Sequence, residues 1–545
     1  GETKSTLYNV FICFLLGWSI TTLFVHVLKI SKNFKESYDH VWYVFGLAAA
    51  VIFVVSAQSA LADLSAQDVW ADWKAYLTST GYTVSGTEAV SGSTLTVSDV
   101  SMVMPIPDED GSGTVSLPEI QFVENGDGTV NVLLPAEFPM GFDFTAEGES
   151  FSGKLIYAHD GTPMKVSGDA ESMSYDYSSS KVTMTLDGLT ADGETVPADV
   201  AKIQIVMNEV ATKTEMKIAG ARNYDQTLTA SSLSYDMGFN DPESNGTGSF
   251  KGALQGLNFT GTSTVPAGLE SPDMSALLAA GFAFDGIFTF DSGNGSVSGV
   301  DGSENFAMES NSQGGSIAVA MDKQHLTYDV SQTGTNVNIS GSEIPFPLAL
   351  SMAETGFKLM MPLAKSEEEQ DFALGITLRD FAVPDMLWGM VDPTGQLPHD
   401  PATVVLDLAG KGKVLFDLFD PEAMESVESG EEQPGELNAL TVKQLQVTAA
   451  GAELTGTGDF TFNNEDLVSF DGMPAPSGEA DLKLTGANTL IDKLIGMGLM
   501  SDSDAMGARM MMGILAVPGE GEDTLTSKIA ISEDGQIHAN GQRIK

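Results

Sequence analysis

The clearest arrangement of metal-ligand side chains lies in the sequence DEDGSGTVSLPE, between residues 108 and 119. Asp108, Asp110, Ser112, Thr114 and Glu119 follow the order of an EF-hand loop, in which alternate oxygen ligands surround one Ca²⁺ ion. The sixth position, where such a loop turns sharply, is a glycine. The spacing therefore points to calcium, which is the only cofactor that the sequence suggests.

The segments on both sides of this loop favour a different structure. An EF-hand needs a helix before and after the loop, yet Pro105 and Pro107 precede it and Pro118 lies near its end. The following IQFVENGDGTVNV is strand-like, with a turn at ENGDGT. A strand–turn–strand with an acidic tip is the preferred interpretation. A calcium-dependent binding or adhesion module is the alternative function.

Other residues offer little chemistry. The only cysteine, Cys13, lies in an apolar stretch, so the chain from residue 63 onward has no thiol nucleophile, thiolate ligand or disulfide. The six histidines show no paired ligand spacing, and neither a phosphate-binding Gly-Lys loop nor a G-x-S-x-G elbow occurs. We therefore predict no catalytic residues and a non-enzymatic protein.

The chain is strongly acidic, with 75 Asp and Glu residues against 26 Lys and Arg residues and a net charge of −49. Such a surface repels phosphate backbones, which argues against nucleic acid as a partner. The same acidity keeps an exported protein soluble. Hydrophobic residues make up 42% of the chain, which is enough for a folded core and excludes wholesale disorder.

Two apolar segments precede residue 63. Residues 7–28 have about the 20-residue length that crosses a bilayer. Residues 41–55 follow a lysine-containing link and end in SAQSALA, which is typical of a signal peptide cleaved after Ala62. A membrane hairpin is the alternative, with the link in the cytoplasm. Both interpretations place the remaining chain in the periplasm or cell envelope, anchored in the inner membrane if the segment is uncleaved.

The sequence divides into four regions on this basis. Residues 1–40 hold the first apolar span and the basic link, and 41–62 the signal peptide or second span. No methionine precedes Met102, so residues 1–40 have two interpretations, a true membrane helix with its link or an over-extended translation that is not native. Residues 63–350 form a β-rich N-terminal half with one leading helix. Residues 351–545 form a β-rich C-terminal half with a methionine-rich helical pair.

The exported part is predicted to be mainly β, in the α+β class. Alternating apolar residues recur about every 10–15 residues, separated by Gly, Asp and Asn turn signals and by no long helical pattern. This texture predicts an elongated, curved antiparallel sheet with a few packed helices. The acidic segment 421–437 is predicted to be a solvated loop.

The leading helix is predicted over residues 63–79, with Ser65 as its cap and Asp68 at the capping-box position. Its stripe of Trp70, Trp73 and Leu77 is expected to pack over a sheet. Further helices are predicted within 271–284, 383–389 and 488–518. The last contains four methionines that either line an adaptable lipid groove or fill a core, namely Met506, Met510, Met511 and Met512.

Four stretches of the chain carry a family resemblance: AQDVWADWKAYLTSTGY at 66–82, TLTVSDVSMVMPIP at 94–107, LPHDPATVVLDLAG at 397–410, and AMGARMMMG with GEDTLTSKIAISEDGQIHANGQRIK at the C-terminus. They resemble an alphaproteobacterial family of exported proteins catalogued as domain of unknown function 2125, over residues 63–545. The resemblance implies export and no catalytic residue. Long β-runs closed by a helical pair also resemble AsmA-like envelope proteins, which implies a curved sheet with a groove for lipid.

The leading functional hypothesis is an exported, non-enzymatic envelope protein that binds or transfers an apolar ligand such as a lipid. It requires a continuous apolar face on the sheet.

Overall fold

The computed structural model describes residues 64–79, 81–106, 111–146, 149–241, 246–268, 274–430 and 433–545. The apolar segments predicted at 7–28 and 41–55, and the cleavage after Ala62, lie outside these residues. In the part of the chain so described, no helix is both long and apolar enough to cross a bilayer.

The protein is mainly β, as predicted, with antiparallel strand pairing and a few short helices. The strands are β1 (Thr83–Ser91), β2 (Thr94–Ile106), β3 (Gly111–Glu124), β4 (Val130–Leu133), β5 (Glu137–Ala146), β6 (Glu149–Ala158), β7 (Met164–Asp169), β8 (Ser172–Ala191), β9 (Glu194–Val196), β10 (Ala201–Ala219), β11 (Ala221–Asn240), β12 (Thr247–Val265), β13 (Ala283–Phe290), β14 (Ser292–Asp301), β15 (Glu304–Ser312), β16 (Gly315–Met321), β17 (His325–Gly341), β18 (Leu348–Pro362), β19 (Gln370–Phe381), β20 (Ala402–Val414), β21 (Gly435–Ala449), β22 (Ala452–Asn463), β23 (Ala475–Thr485), β24 (Val517–Pro518), β25 (Thr524–Ile531), β26 (Ile537–Ala539) and β27 (Gln542–Arg543). The helices are α1 (Ala66–Ser79), α2 (Met274–Ala279), α3 (Asp385–Val391), α4 (Pro421–Glu428), α5 (Ala487–Gly496) and α6 (Asp502–Leu515).

The chain forms two compact units. The first extends to Ile317 and includes Ile339–Pro347, whereas the second comprises Ala318–Asn338 and Leu348–Lys545.

The first unit begins with the predicted leading helix, α1. The Ser65 hydroxyl accepts the backbone N–H of Asp68 at 3.1 Å, and the Asp68 carboxylate accepts that of Ser65 at 3.0 Å. This reciprocal pair is the capping box expected from the sequence. Trp70 and Trp73 pack on Phe122 of β3, with ring centroids 5.8 and 5.6 Å apart. The predicted packing of the helix over a sheet is therefore confirmed.

Buried apolar clusters stabilise the sheet of the first unit. Leu95 and Val97 of β2 and Phe122 of β3 are fully buried beneath α1. Two further clusters join β5 and β6 to the long strands β8, β10, β11 and β12. The three buried clusters formed by the described residues all lie in the first unit.

The second unit contains a run of antiparallel strands in the order β18–β19–β20–β21–β22–β23–β25. Alternation of apolar and polar residues along each strand gives the sheet two chemically different faces. A bulge at Lys443 and Gln444 of β21 adds one residue to this alternation. Val442 and Leu445 therefore contribute to the same face although they are three positions apart.

The helices of the second unit agree with the sequence at three places and differ at one. Helices α3, α5 and α6 form where helical segments were predicted, and Ser501 caps α6 by accepting the N–H of Asp504 at 3.1 Å. The acidic segment predicted as a loop instead begins with helix α4. The loop prediction was wrong because Asp420 stands at the cap position and Pro421 at the first helical position, both favourable for helix initiation.

Candidate functional site

One face of the second unit's sheet is apolar across six neighbouring strands. Four rows of hydrogen-bond-paired positions cross β19, β20, β21, β22, β23 and β25 in register. The rows are Leu378–Val404–Val447–Leu454–Leu484–Leu525, Ile376–Leu406–Leu445–Gly456–Leu482–Ser527, Leu374–Leu408–Val442–Gly458–Ala480–Ile529, and Phe372–Gly410–Leu440–Phe460–Gly478–Ile531. Within these rows Ser527 is the only polar side chain, at the β25 edge. We call this surface the apolar face.

The apolar face is not covered by a second layer of buried side chains. Ile376, Val404 and Val447 are 40%, 37% and 37% exposed, whereas Leu95 in the first unit is 0% exposed. Most other members are half-buried, which is the degree of cover that neighbours within one sheet layer provide. Large uncovered apolar patches are uncommon on soluble proteins and mark sites of interaction.

Glycines in the rows leave space that neighbouring side chains fill by lying flat on the sheet. A methyl group at Gly456 would lie 2.5 Å from Leu482 Cδ2, and one at Gly458 would lie 3.0 Å from Phe460 Cε2. The ring of Phe372 covers Gly410 in the same manner. At these positions the apolar face is therefore a smooth surface formed by the sides of neighbouring side chains, without a deep pocket shaped for one rigid ligand.

The opposite face of these strands is mainly polar and carries ion pairs. Lys411 pairs with Asp371 at 2.9 Å, and Lys528 with Glu479 at 2.7 Å. A shallow depression of about 510 Å³ crosses β21, β22, β23 and β25. Its lining contains Leu445, Gly456, Leu482 and Ser527 of the second apolar row together with polar-face residues such as Thr455, Asp481, Lys483 and Lys528. Its charged groups are strand-surface residues, so the depression has the character of a solvated surface.

Three of the four methionines of α6 are exposed and Met512 is half-buried, so they do not form a core. Met506, Met510 and Met511 are 71%, 63% and 53% exposed, whereas Ala505 on the same helix is 2% exposed. The interpretation of α6 as a methionine-filled core helix is therefore wrong. Ala505 is the buried residue of α6, and Arg509 forms a surface ion pair with Asp492 of α5 at 2.6 Å.

The predicted calcium ligands do not come together where the structure describes them. Ser112, Thr114 and Glu119 all lie on β3, which pairs with β2 from Ile106↔Gly111 onward. Ser112 and Glu119 are seven residues apart on an extended strand, about 23 Å at 3.3 Å per residue, so they cannot bind one ion. The Glu119 carboxylate instead accepts the Gln121 side-chain amide at 2.8 Å.

The strand–turn–strand interpretation is thus confirmed on both sides of residues 107–110. Asp108 and Asp110 lie outside the described residues, and calcium binding by those two residues stays a prediction. Within the described ranges, no three His, Cys, Asp or Glu side chains are placed to share a metal ion.

A buried ion pair in the first unit has a positioning role. The Asp72 carboxylate of α1 accepts hydrogen bonds from the Tyr175 hydroxyl of β8 and the Arg222 guanidinium of β11. The side chains of Asp72 and Arg222 are 4% and 14% exposed. Burial raises the pKa of Tyr175 well above its usual value, so its hydroxyl remains a donor. The contacts fix α1 on the sheet.

A second polar cluster closes the loop after α3. Asp392 accepts the backbone N–H groups of Gln396 and Leu397 at 2.9 and 2.6 Å, and its Oδ2 lies 3.3 Å from His399 Nε2. Burial raises the pKa of Asp392, but these donors outweigh it and hold the pKa below its usual value. His399 also stacks on Trp388, with ring centroids 4.4 Å apart.

Sequence reasoning did not identify the apolar face, although part of its signal is visible. Val404, Leu406 and Leu408 alternate in TVVLDLAG, and Leu482 and Leu484 alternate in DLKLTG. Such alternation predicts a one-sided strand but does not say which strands align or what covers them. The strand register supplies the alignment, and the exposure of the side chains supplies the rest.

Comparisons with known proteins give one match. A family model described as uncharacterized protein conserved in bacteria (DUF2125) matches residues 282–539. This range is shorter than the 63–545 over which the resemblance was expected, and it contains the whole apolar face and helices α3 to α6. No curated protein and no solved structure matches the chain.

Proposed function

With residues 282–539 matching the DUF2125 family model, we propose that the protein binds lipid acyl chains on the apolar face without catalysing a reaction. The observation that carries the proposal is the run of four apolar rows across six strands, left uncovered by any buried cluster of the described residues. The signal-like segment ending at Ala62 supports its location in the cell envelope.

The chemistry of the face favours an acyl chain over a peptide. A peptide lying on it would bury backbone N–H and C=O groups against leucine and valine side chains, and unpaired polar groups are costly to bury. An acyl chain has no such groups. Each methylene contributes about 0.8 kcal/mol when fully buried, so many weak contacts along a smooth face add up.

The dimensions of the face fit an extended flexible ligand. Six strands spaced about 4.8 Å apart give a width of roughly 24 Å across the sheet. The side chains of Phe372, Leu482 and Phe460 lie over Gly410, Gly456 and Gly458 on this face. A curved and elongated sheet, expected from the sequence, would enclose such a ligand further and is part of the proposal.

Two neighbouring residues of β22 provide a matched test. Leu454 belongs to the apolar face and Thr455 to the opposite face, so Leu454→Glu and Thr455→Glu add the same charge to the same strand on different sides. We expect Leu454→Glu to weaken binding of a fluorescent fatty acid by about tenfold or more. Thr455→Glu is expected to leave the affinity unchanged. Circular dichroism of both variants checks that the sheet is retained.

Native mass spectrometry with lipid extraction, on the protein purified from its own envelope, tests the same proposal without a chosen probe. Copurified lipid that is lost in Leu454→Glu and kept in Thr455→Glu is the expected result. Equal binding by the two variants, or an envelope-purified protein free of lipid, would overturn the proposal.

A further inference from the structure

Two helical connections lie together at one end of the second unit's sheet. The connection from β19 to β20 (382–401) contains α3, and the connection from β23 to β25 (486–523) contains α5 and α6. In an antiparallel meander alternate connections emerge at the same end, so both lie at one end of the sheet. The chain after α3 contacts α5 there, because Gln396 Oε1 lies 3.5 Å from the position of a methyl group on Gly496.

These two connections expose an unusual share of large apolar side chains. They supply nine of the nineteen such residues that are exposed in the described ranges of the chain. The nine are Met386, Met390, Val391, Leu499, Met506, Met510, Met511, Ile514 and Val517. We call this surface the methionine-rich end. It adjoins the strand ends of the apolar face, since α5 follows directly after Leu484 and Thr485.

We propose that the methionine-rich end docks on a lipid bilayer and admits acyl chains to the apolar face. The inference rests on the proposed function and names the partner from which the ligand comes. Methionine is unbranched and adaptable, which suits an irregular, fluid apolar surface better than a fixed protein interface. Helix α6 is capped by Ser501, buries Ala505 and pairs with α5 through Arg509 and Asp492, so its exposed methionines belong to an ordered helix.

Charge opposes docking on a negatively charged bilayer less at the methionine-rich end than at the other end of the sheet. The two connections at that other end, 415–434 and 464–474, contain ten Asp and Glu residues and no Lys or Arg, and we call it the acidic end. The connections at the methionine-rich end, 382–401 and 486–523, contain nine Asp and Glu residues and two Lys and Arg residues. Three of these carboxylates, those of Asp492, Asp504 and Asp523, are engaged with Arg509, Ser501 and Asn488. A negatively charged bilayer therefore repels the acidic end more strongly.

A second copy of the chain is a poorer occupant of this surface. The net charge of −49 per chain opposes self-association, and the methionine-rich end offers no cationic patch to offset it. A bilayer of zwitterionic lipids has no net charge and meets no such repulsion. The bilayer is therefore the partner that the exposed apolar side chains fit and that the charge of the chain opposes least.

The decisive experiment compares two exposed methionines at opposite ends of the same sheet. Met510 on α6 is 63% exposed, and Met473 in the connection from β22 to β23 is 64% exposed. In full-length protein carrying Cys13→Ser, each is replaced in turn by cysteine and labelled with an environment-sensitive fluorophore. The labelled proteins are mixed with phosphatidylcholine vesicles whose acyl chains carry bromine, a contact quencher.

We expect several-fold stronger quenching of the label at position 510 than of the label at position 473. Comparing two positions within one chain keeps the result independent of any insertion by residues 1–62. Equal quenching at both positions would overturn docking by this end. So would a vesicle-independent change at position 510 that grows with protein concentration, because it would identify a second copy as the occupant.

Transfer kinetics separate this inference from the proposed function. The double variant Met506→Glu, Met510→Glu is expected to slow uptake of a fluorescent fatty acid from vesicles by about tenfold, while its equilibrium affinity for the dispersed fatty acid stays unchanged. The control is Val468→Glu, Met473→Glu at the acidic end, with normal uptake. Normal uptake by the Met506→Glu, Met510→Glu variant would refute the docking inference and leave the proposed function standing. An unchanged affinity in Leu454→Glu would refute the acyl-chain site itself.

Discussion

Replacing Arg222 by methionine isolates the contribution of the buried ion pair that holds α1 on the first unit. The variant leaves the Asp72 carboxylate buried, with the Tyr175 hydroxyl as its remaining donor. Removing one partner of a buried pair costs about 3–5 kcal/mol of unfolding free energy. The Arg222 side chain is 14% exposed and Asp72 keeps one hydrogen bond, so we expect a loss near the lower limit, about 3 kcal/mol.

A triple variant supplies the control for this loss. Combining Asp72→Leu, Tyr175→Phe and Arg222→Met removes all three polar groups together, so none is left buried without a partner. Apolar replacement of a whole buried pair is often neutral or stabilising. We therefore expect the triple variant to unfold within about 1 kcal/mol of the parent protein.

The assay is urea unfolding followed by tryptophan fluorescence. Trp70 and Trp73 lie on α1 and report on the first unit, provided that the other tryptophans, including Trp388 of the second unit, are replaced by phenylalanine. A loss below 1 kcal/mol in Arg222→Met would show that the pair does not hold the helix. A triple variant as unstable as the single one would show that packing of the side chains, and not the unpaired charge, is responsible.

Three further outcomes are expected. Gly478→Ala should destabilise the second unit by about 3 kcal/mol, because φ at Gly478 is +150° and a methyl group there would meet the Asp459 carbonyl oxygen of β22. Faster amide exchange in β22 and β23 measures the effect, and unchanged exchange would contradict it. Met506→Ser combined with Met510→Ser should change the unfolding free energy by no more than about 0.5 kcal/mol, since both side chains are exposed. A loss above about 2 kcal/mol in denaturant titration would mean that both side chains are buried in solution. The loop at Asp392 should stay closed as the pH falls to 3.8, because the pKa of this carboxyl is lowered in the folded protein. Its contribution to stability is lost as the pH falls through that lowered pKa. Trp388 fluorescence follows the opening of the loop, and Asp392→Asn should remove this transition.

Local features of this fold follow closely from the sequence. The capping box at Ser65 and Asp68 and the turn at 124–129 each depend on a few neighbouring residues, and each occurs where predicted. Helix α4 was missed because its acidic composition was given more weight than the Asp420–Pro421 start signal. An acidic composition indicates that a segment is exposed to solvent, whereas the helix start signal determines its backbone conformation.

The candidate site depends on relations that no single segment contains. The spacing at Asp108 to Glu119 imitates a calcium loop, yet Ser112 and Glu119 are separated because pairing with β2 extends the chain between them. The methionines of α6 show the helical spacing of a core element, and their exposure is decided by what lies opposite the helix. The apolar face likewise requires the register of six strands, which the alternation within each strand leaves open.

Two extra residues in β21 make this strand tolerant of a change in length at two places, Asn438 and Lys443–Gln444. Loss of either Lys443 or Gln444 would restore strict alternation between Val442 and Leu445, and loss of Asn438 would do the same between Leu437 and Leu440. Loss of a residue within a regular stretch, between Leu440 and Val442 or after Leu445, would turn part of the strand over and set its apolar side chains among the ion pairs. Natural variants of this sheet that differ in length within β21 are therefore expected to differ at these bulges, because a deletion there keeps the apolar face.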